Sequence, residues 1–393
     1  MNELKRWVFL LLGTVLLAGC TGHAVDHSME VSQDTASTRL PWQDVDMAYL
    51  QIPAGVQADA ATLNIKAVSA DGQVVVGEAE RAVDGESGQS LKRLEAFRWD
   101  LTQNHWQWLG VVAGEASSTP AGVNAAADIV FGRRWVWQAG HQQLTDLGRQ
   151  FWTYAVRDDC QLIGIESGSN FVLRSIDGAQ AEQWPAADFL QLDAAGHAKE
   201  RFWFSDNGTL VLSTVETCLK DAHCDQAWLT WWTPGQNQQR VQAELPSREG
   251  DFIQTDPGPN IVSRNAQWLA GDVGQGIFRW DRQGQMLSLG GFEHGADVLG
   301  ISDDGNLVVG TTADVNTGNG RSWIWTATEG LGWLDEWLRN HGVAKEMTST
   351  SIQVRLLSAS RRVLIGLTDL REQGGTVVWW RATLPENLRV LVQ

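Results

Sequence analysis

The sequence predicts an all-β fold, a β-propeller of seven four-stranded blades with one short helix near 331–342. Three observations carry that expectation. A motif recurs from roughly residue 60 to the C-terminus at a spacing of about 48 residues, a length that suits propeller blades. Asp-Gly or Asn-Gly pairs stand at 71–72, 207–208 and 304–305, where tight hairpins need residues that accept positive φ. Aromatic residues recur two positions apart, at Phe97 and Trp99, Trp135 and Trp137, Phe278 and Trp280, and Trp323 and Trp325.

Each element of the unit has its own reason. The fullest copy runs Ser69-Ala70-Asp71-Gly72, then Val74-Val75-Val76-Gly77, Ala96-Phe97-Arg98-Trp99 and Trp106 to Gly110. Copy six repeats it at Ser302-Asp303-Asp304-Gly305, Leu307 to Gly310 and Trp323-Ile324-Trp325. Weaker copies begin near Ala121, Ala155, Phe204, Ile261 and Leu357. The Asp-Gly turn joins the first two strands. The second strand is apolar throughout, which requires cover on both faces. Two-residue spacing puts both rings of the third strand on one face. Radially stacked four-stranded sheets bury both faces of every sheet. Copies three and four are degenerate, so six or eight blades stay open at this point. The exception to the β pattern is Leu331 to Val343, where Leu334 and Leu338 lie four apart and Gly342 offers a C-terminal cap.

The N-terminus has the layout of an export signal. Lys5 and Arg6 precede the short apolar run Trp7 to Leu17, too short for a span that takes about 20 residues. Residues 1–19 are read as the signal peptide, 20–41 as a polar flexible tether and 42–393 as the repeat domain. The sequence Leu17-Ala18-Gly19-Cys20 resembles a bacterial lipobox, which implies acylation at Cys20. Thr21 rather than aspartate follows, so outer-membrane sorting is expected in a Gram-negative host.

The net charge is −17, and cleavage before Cys20 makes it slightly more negative because Lys5 and Arg6 leave with Glu3. Such acidity argues against nucleic acid and against adhesion to anionic lipid. The four cysteines exclude a disulfide scaffold. Cys218 and Cys224 bracket a short polar loop and are read as a local disulfide, which leaves Cys160 without a partner.

The order Ser-x-Asp-Gly, an aliphatic trio with Gly, Ala-Phe-x-Trp and Leu-Gly resembles the extracellular HAF repeats of bacteria. The C-terminal sixty or so residues, with Trp333-Leu334, Gly342-Val343 and Leu384-Pro385, resemble the closing unit of such arrays. The resemblance spans most of the chain after the signal. It implies an exported repeat domain and carries over no catalytic residue.

The search for chemistry is largely negative. Gly-x-Ser-x-Gly, a Walker-type loop and His-Glu-x-x-His are all absent. Ser205-Asp206-Asn207 falls on a repeat turn. His294 beside Glu293 reads as a solvated loop. Glu78 with Glu80 and Asp303 with Asp304 are paired carboxylates, yet a glycosidase needs a separation across the sugar that sequence cannot supply. Asp314 to Gly320 is rich in oxygen ligands but lacks the closing bidentate glutamate of a calcium loop. No cofactor or metal is expected. Most of the 21 tryptophans occupy repeat positions and read as core; Trp42, Trp152, Trp184 and Trp203 fall outside the pattern and are freer to bind. The favoured reading is an envelope binding or scaffold module for a protein partner, held to the membrane by its lipid. A carbohydrate-binding or carbohydrate-active propeller, with a glycan as ligand, is the alternative; a purely structural surface protein is the third.

Overall fold

The computed structural model describes residues 45–385 apart from 57, 59–61, 85–89, 142, 167–169, 178–180, 186–200, 206–207, 216–225, 234–237, 245–259, 274, 294, 313–319, 346–351 and 370–376. Among the described residues the strands form seven four-stranded antiparallel sheets, each a blade of a β-propeller. Blades one to six take their strands in sequence order, over 64–110, 120–146, 151–185, 201–244, 261–291 and 297–333. Blade seven differs. Its three strands Ile352–Leu357, Val363–Asp369 and Val377–Thr383 are completed by the N-terminal strand Asp46–Tyr49, paired with the last strand from Asp46↔Thr383 to Tyr49↔Trp380. The ring is therefore closed by joining the two ends of the repeat domain.

Aromatic wedges hold the blades together. Phe97 and Trp99 of blade one pack with Val363, Ile365 and Trp379 of blade seven. Trp135 and Trp137 face blade one, Phe278 and Trp280 face blade four, and Trp323 and Trp325 face blade five. Each pair thus points back to the preceding blade. The second strand serves both interfaces: Val75 packs toward blade seven, Val74 and Val76 toward blade two. The glycine after the aliphatic trio makes room for the ring. Gly77 pairs with Phe97 and Gly310 with Trp323, and a Cβ on either glycine would collide with the ring opposite it.

The turn between the first two strands repeats a hydrogen-bond device. Ser69 Oγ donates to Asp71 Oδ1 at 2.6 Å and accepts the N–H of Val74 at 3.0 Å. Ser302, Asp304 and Leu307 do the same at 2.7 and 3.1 Å, as do Ser263, Asn265 and Trp268 at 2.8 and 3.0 Å. Gly305 sits at φ +67°, and its Cα lies so close to the Trp268 ring of the preceding blade that a side chain would clash. It is required twice over, by conformation and by the neighbour.

The helix covers Leu334–Asn340, shorter than the expected 331–342. Leu331 and Trp333 instead pair with Trp325 and Trp323 as the outer strand of blade six, where ladder hydrogen bonds satisfy their backbone. The helix begins only after Trp333 and buries Leu334, Trp337 and Leu338 between blades six and seven. Gly342, at φ +89°, follows its C-cap as expected. Its buried Asp335 receives the Arg321 guanidinium through two hydrogen bonds of 3.0 and 3.1 Å.

Candidate functional site

The ring has two unlike ends. At one, the serine turns interlock. Arg98 donates to the Ala127 carbonyl of the next blade at 3.0 Å, and Arg279, in the matching position, donates to the carbonyl of Gly305. Burial holds both guanidinium pKa values below the usual arginine range, against the pull of nearby aspartates. Asp303 accepts the Asn265 N–H at 2.9 Å, and burial holds its carboxyl above the ordinary aspartate range. Arg361 pairs with Asp304 at 2.5 Å across blades seven and six. Asp303 and Asp304 are thus absorbed into inter-blade contacts. Ser205 likewise lies in a blade-four turn, its Oγ accepting the Thr209 N–H at 3.1 Å.

The opposite end carries what the repeat does not explain. In blade one the second and third strands, Val74–Asp84 and Ser90–Asp100, outrun their neighbours. The first strand stops pairing at Asn64↔Glu78 and the outer strand at Ala96↔Gly110. The Glu80 N–H still donates to Thr62 Oγ1 and the Leu94 carbonyl still accepts the Ser118 N–H; beyond them no described strand joins the two, which continue as a ribbon to Asp84↔Ser90. Buried carboxylates fix its base. Glu95, 1 % exposed, takes Arg81 at 3.1 Å, Arg93 at 2.9 Å and the Gly110 N–H at 3.0 Å. Glu78 pairs with Lys66 at 3.2 Å and accepts from Thr119 at 2.5 Å, while Glu80 pairs with Lys92 at 3.0 Å. The Glu78 and Glu80 pair from the sequence is therefore neutralised by two separate lysines as part of the ribbon's footing. Leu91, near the ribbon's far end, is 54 % exposed.

A second group lies on the same end, on blades two and three. The turn at Arg133 and Arg134 is held by Thr153 N–H donating to the Arg133 carbonyl at 2.9 Å and Leu147 N–H to that of Arg134 at 2.8 Å. Those bonds bring Trp152 beside the turn, with the Arg133 guanidinium 5.2 Å from the centre of its ring. Trp152 is 42 % exposed and Tyr154 40 %. Partial burial raises the Tyr154 phenol above its ordinary pKa, with Arg133 opposing. Tyr154 contacts Phe202 and Phe204 of blade four at 5.7 and 5.6 Å between ring centroids.

Tyr154 belongs to a pattern that sequence reading missed. In five blades the first strand is bulged, and the residue at the bulge is Lys66, Ala121, Tyr154, Leu299 or Arg355. None of the five is buried, whereas the residue before each, Ile65, Pro120, Thr153, Val298 or Val354, is. The signal was available: each bulge residue stands three positions before the first residue of its turn.

Of the tryptophans outside the repeat, Trp152 is the exposed one among those described. Trp184 packs edge-on against Trp232 at 4.8 Å, and Trp203 donates to the Asn260 carbonyl at 3.0 Å. Cys160 is disulfide-bonded, contrary to the expectation that it lacks a partner. It occupies the left-handed position of the blade-three turn, φ +63°, where blade one has Gly72. Cys20, Cys218, Cys224, Trp42, His294 and 314–319 of the oxygen-rich loop lie outside the described residues. The bond to Cys160 takes one of these three cysteines, so acylation of Cys20 and a Cys218–Cys224 disulfide cannot both hold. Among the described residues no group of three or more His, Cys, Asp or Glu side chains is placed to hold a metal, and no helix is long and apolar enough to cross a membrane.

No protein-family model and no curated relative matches the chain. Solved structures do. An oligogalacturonate lyase in complex with manganese is 12 % identical at a TM-score of 0.50, over 88 % of this chain and 98 % of that one. The β-propeller domain of the Trilobed protease from Pyrococcus furiosus is 10 % identical at 0.48, over 86 % and 99 %. The β-propeller domain of Myceliophteria_thermophila Cps50 (Swd1) is 12 % identical at 0.45, over 85 % and 99 %. These likenesses are of fold. The chemistry must be read from the residues.

Proposed function

We propose that this chain is an exported lipoprotein of the HAF-repeat kind, acylated at Cys20 and tethered to the outer membrane, whose propeller is a non-catalytic platform for a protein partner. The observation that carries the platform reading is the blade-one ribbon. It is anchored at its base, where Glu95 is buried between two arginines, and beyond Glu80 and Leu94 no described strand pairs with either backbone edge. Unpaired strand edges are templates for pairing with another chain, and an exposed apolar residue such as Leu91 adds an anchor. With Cys20 acylated, Cys160 is bonded to Cys218 or Cys224, in place of the local pair expected between those two.

The test is affinity recovery from envelope extracts with three proteins: the native chain, Cys20→Ala, and a variant in which residues 80–94 are replaced by an Asn-Gly turn. The expected result is one protein recovered by the native chain and lost with the ribbon, and release of Cys20→Ala into the soluble fraction. Recovery that is indifferent to the ribbon would overturn the docking reading. Retention of Cys20→Ala in the membrane would overturn the anchor.

A further inference from the structure

The rim formed by blades two and three combines two properties. It is aromatic and exposed, through Trp152 and Tyr154. It is also cationic, through Arg133 and Arg134 in one turn and Arg149 in the adjoining connection, all three exposed. None of these arginines has a carboxylate partner among the described residues. Several arginines elsewhere are paired: Arg81 and Arg93 with Glu95, Arg157 with Asp159, Arg321 and Arg339 with Asp335, Arg361 with Asp304. In a chain of net charge −17, three exposed guanidinium groups on this rim, one of them over the indole, outnumber the adjoining Asp146.

From this juxtaposition we infer that the rim is a binding subsite for an acidic saccharide, a pyranose ring carrying a carboxylate. The flat ring of the sugar packs on the open part of the Trp152 indole. The carboxylate meets the guanidinium fork, which matches its geometry through paired hydrogen bonds. Arg133 serves both halves. Its planar group lies over the indole at 5.2 Å, which orients the guanidinium beside the sugar-stacking surface and limits the freedom lost on binding. The backbone bonds from Thr153 to Arg133 and from Leu147 to Arg134 keep turn and indole together without ligand. An acidic peptide offers the charge but lacks a rigid saturated ring for the indole face. The subsite is separate from the ribbon, so it stands whether or not a protein docks there.

Isothermal titration calorimetry of the purified full-length chain with alginate oligomers, neutral cello-oligomers of equal length and poly-glutamate tests the inference. Saturable binding of alginate alone is expected, weakening as salt is raised. Trp152→Ala and Arg133→Ala should each weaken it about tenfold or more, the loss of one anchoring contact. Trp152→Phe should restore part of the affinity, and an unchanged thermal midpoint would show each variant folded. Arg149→Ala, on an exposed connection, supplies a second charge variant that leaves the strands untouched. Equal binding of the neutral oligomer would overturn the cationic half. Binding of poly-glutamate with the affinity of alginate would make this an acidic-peptide site instead. Native affinity in Trp152→Ala, or no binding of alginate, would overturn the inference outright.

Discussion

The two ends of the propeller are built from the same blades and use their residues in opposite ways. At the serine-turn end, charged and polar groups are spent on neighbours: Asp303 on Asn265, Arg361 on Asp304, Arg279 on Gly305. At the other end the backbone of blade one runs past its partners, and blades two and three leave arginines and aromatic rings facing water. The turn end ties neighbouring blades together. Departures from the repeat, rather than the repeat, mark where this molecule can bind.

Tryptophan gives the sharpest way to break that contrast. Trp323 is fully buried between blades five and six, and Trp323→Ala should cost about 3–5 kcal/mol through lost burial and the cavity left behind. Trp152→Ala, on the open rim, should change stability by less than about 1 kcal/mol while removing the binding described above. Urea melts of the two variants side by side would show it. Similar losses for both would mean that the rim is part of the core.

A smaller effect is expected at the turns. Ser302→Ala removes the acceptor of the buried Leu307 N–H and should cost about 1–3 kcal/mol, with Ser69→Ala behaving alike at the Val74 N–H. Equal midpoints for variant and native chains would show that the serine device adds nothing to the ring.

The smallest effect concerns Asp303, whose carboxyl is held above its unfolded pKa. A raised folded value favours the fold at pH below the unfolded carboxyl pKa, and that advantage is lost as pH rises through the folded value. Asp303→Asn keeps the acceptor for the Asn265 N–H and should flatten this loss, matching or exceeding native stability at neutral pH. Asp303→Ala should be less stable because the Asn265 N–H loses this acceptor. Thermal midpoints from acid to neutral pH separate the three; a native-like slope in Asp303→Asn would assign the pH dependence elsewhere.

Much of the fold was legible because the repeat encodes its own packing. Seven copies became seven blades, and the ring pairs became the inter-blade wedges, with Gly77 and Gly310 required by the Phe97 and Trp323 rings opposite them. The closing strand Asp46–Tyr49 was not legible. Four residues without the motif reveal their role only when the last blade is seen to lack a fourth strand. The helix was drawn too long because Leu331 and Trp333 fit a helical period as well as a strand. At the ribbon end the sequence singled out Trp152 but not Arg133, because a turn arginine gains meaning only from the indole that backbone pairing brings beside it.

Hydrogen–deuterium exchange of the full-length chain with and without the protein partner recovered from the envelope tests the central claim most directly. The account predicts slowed exchange along 80–84 and 90–94 of the ribbon, with the serine turns at 69–72, 263–266, 302–305 and 358–361 unchanged. Protection confined to those turns, with the ribbon exchanging freely, would contradict it.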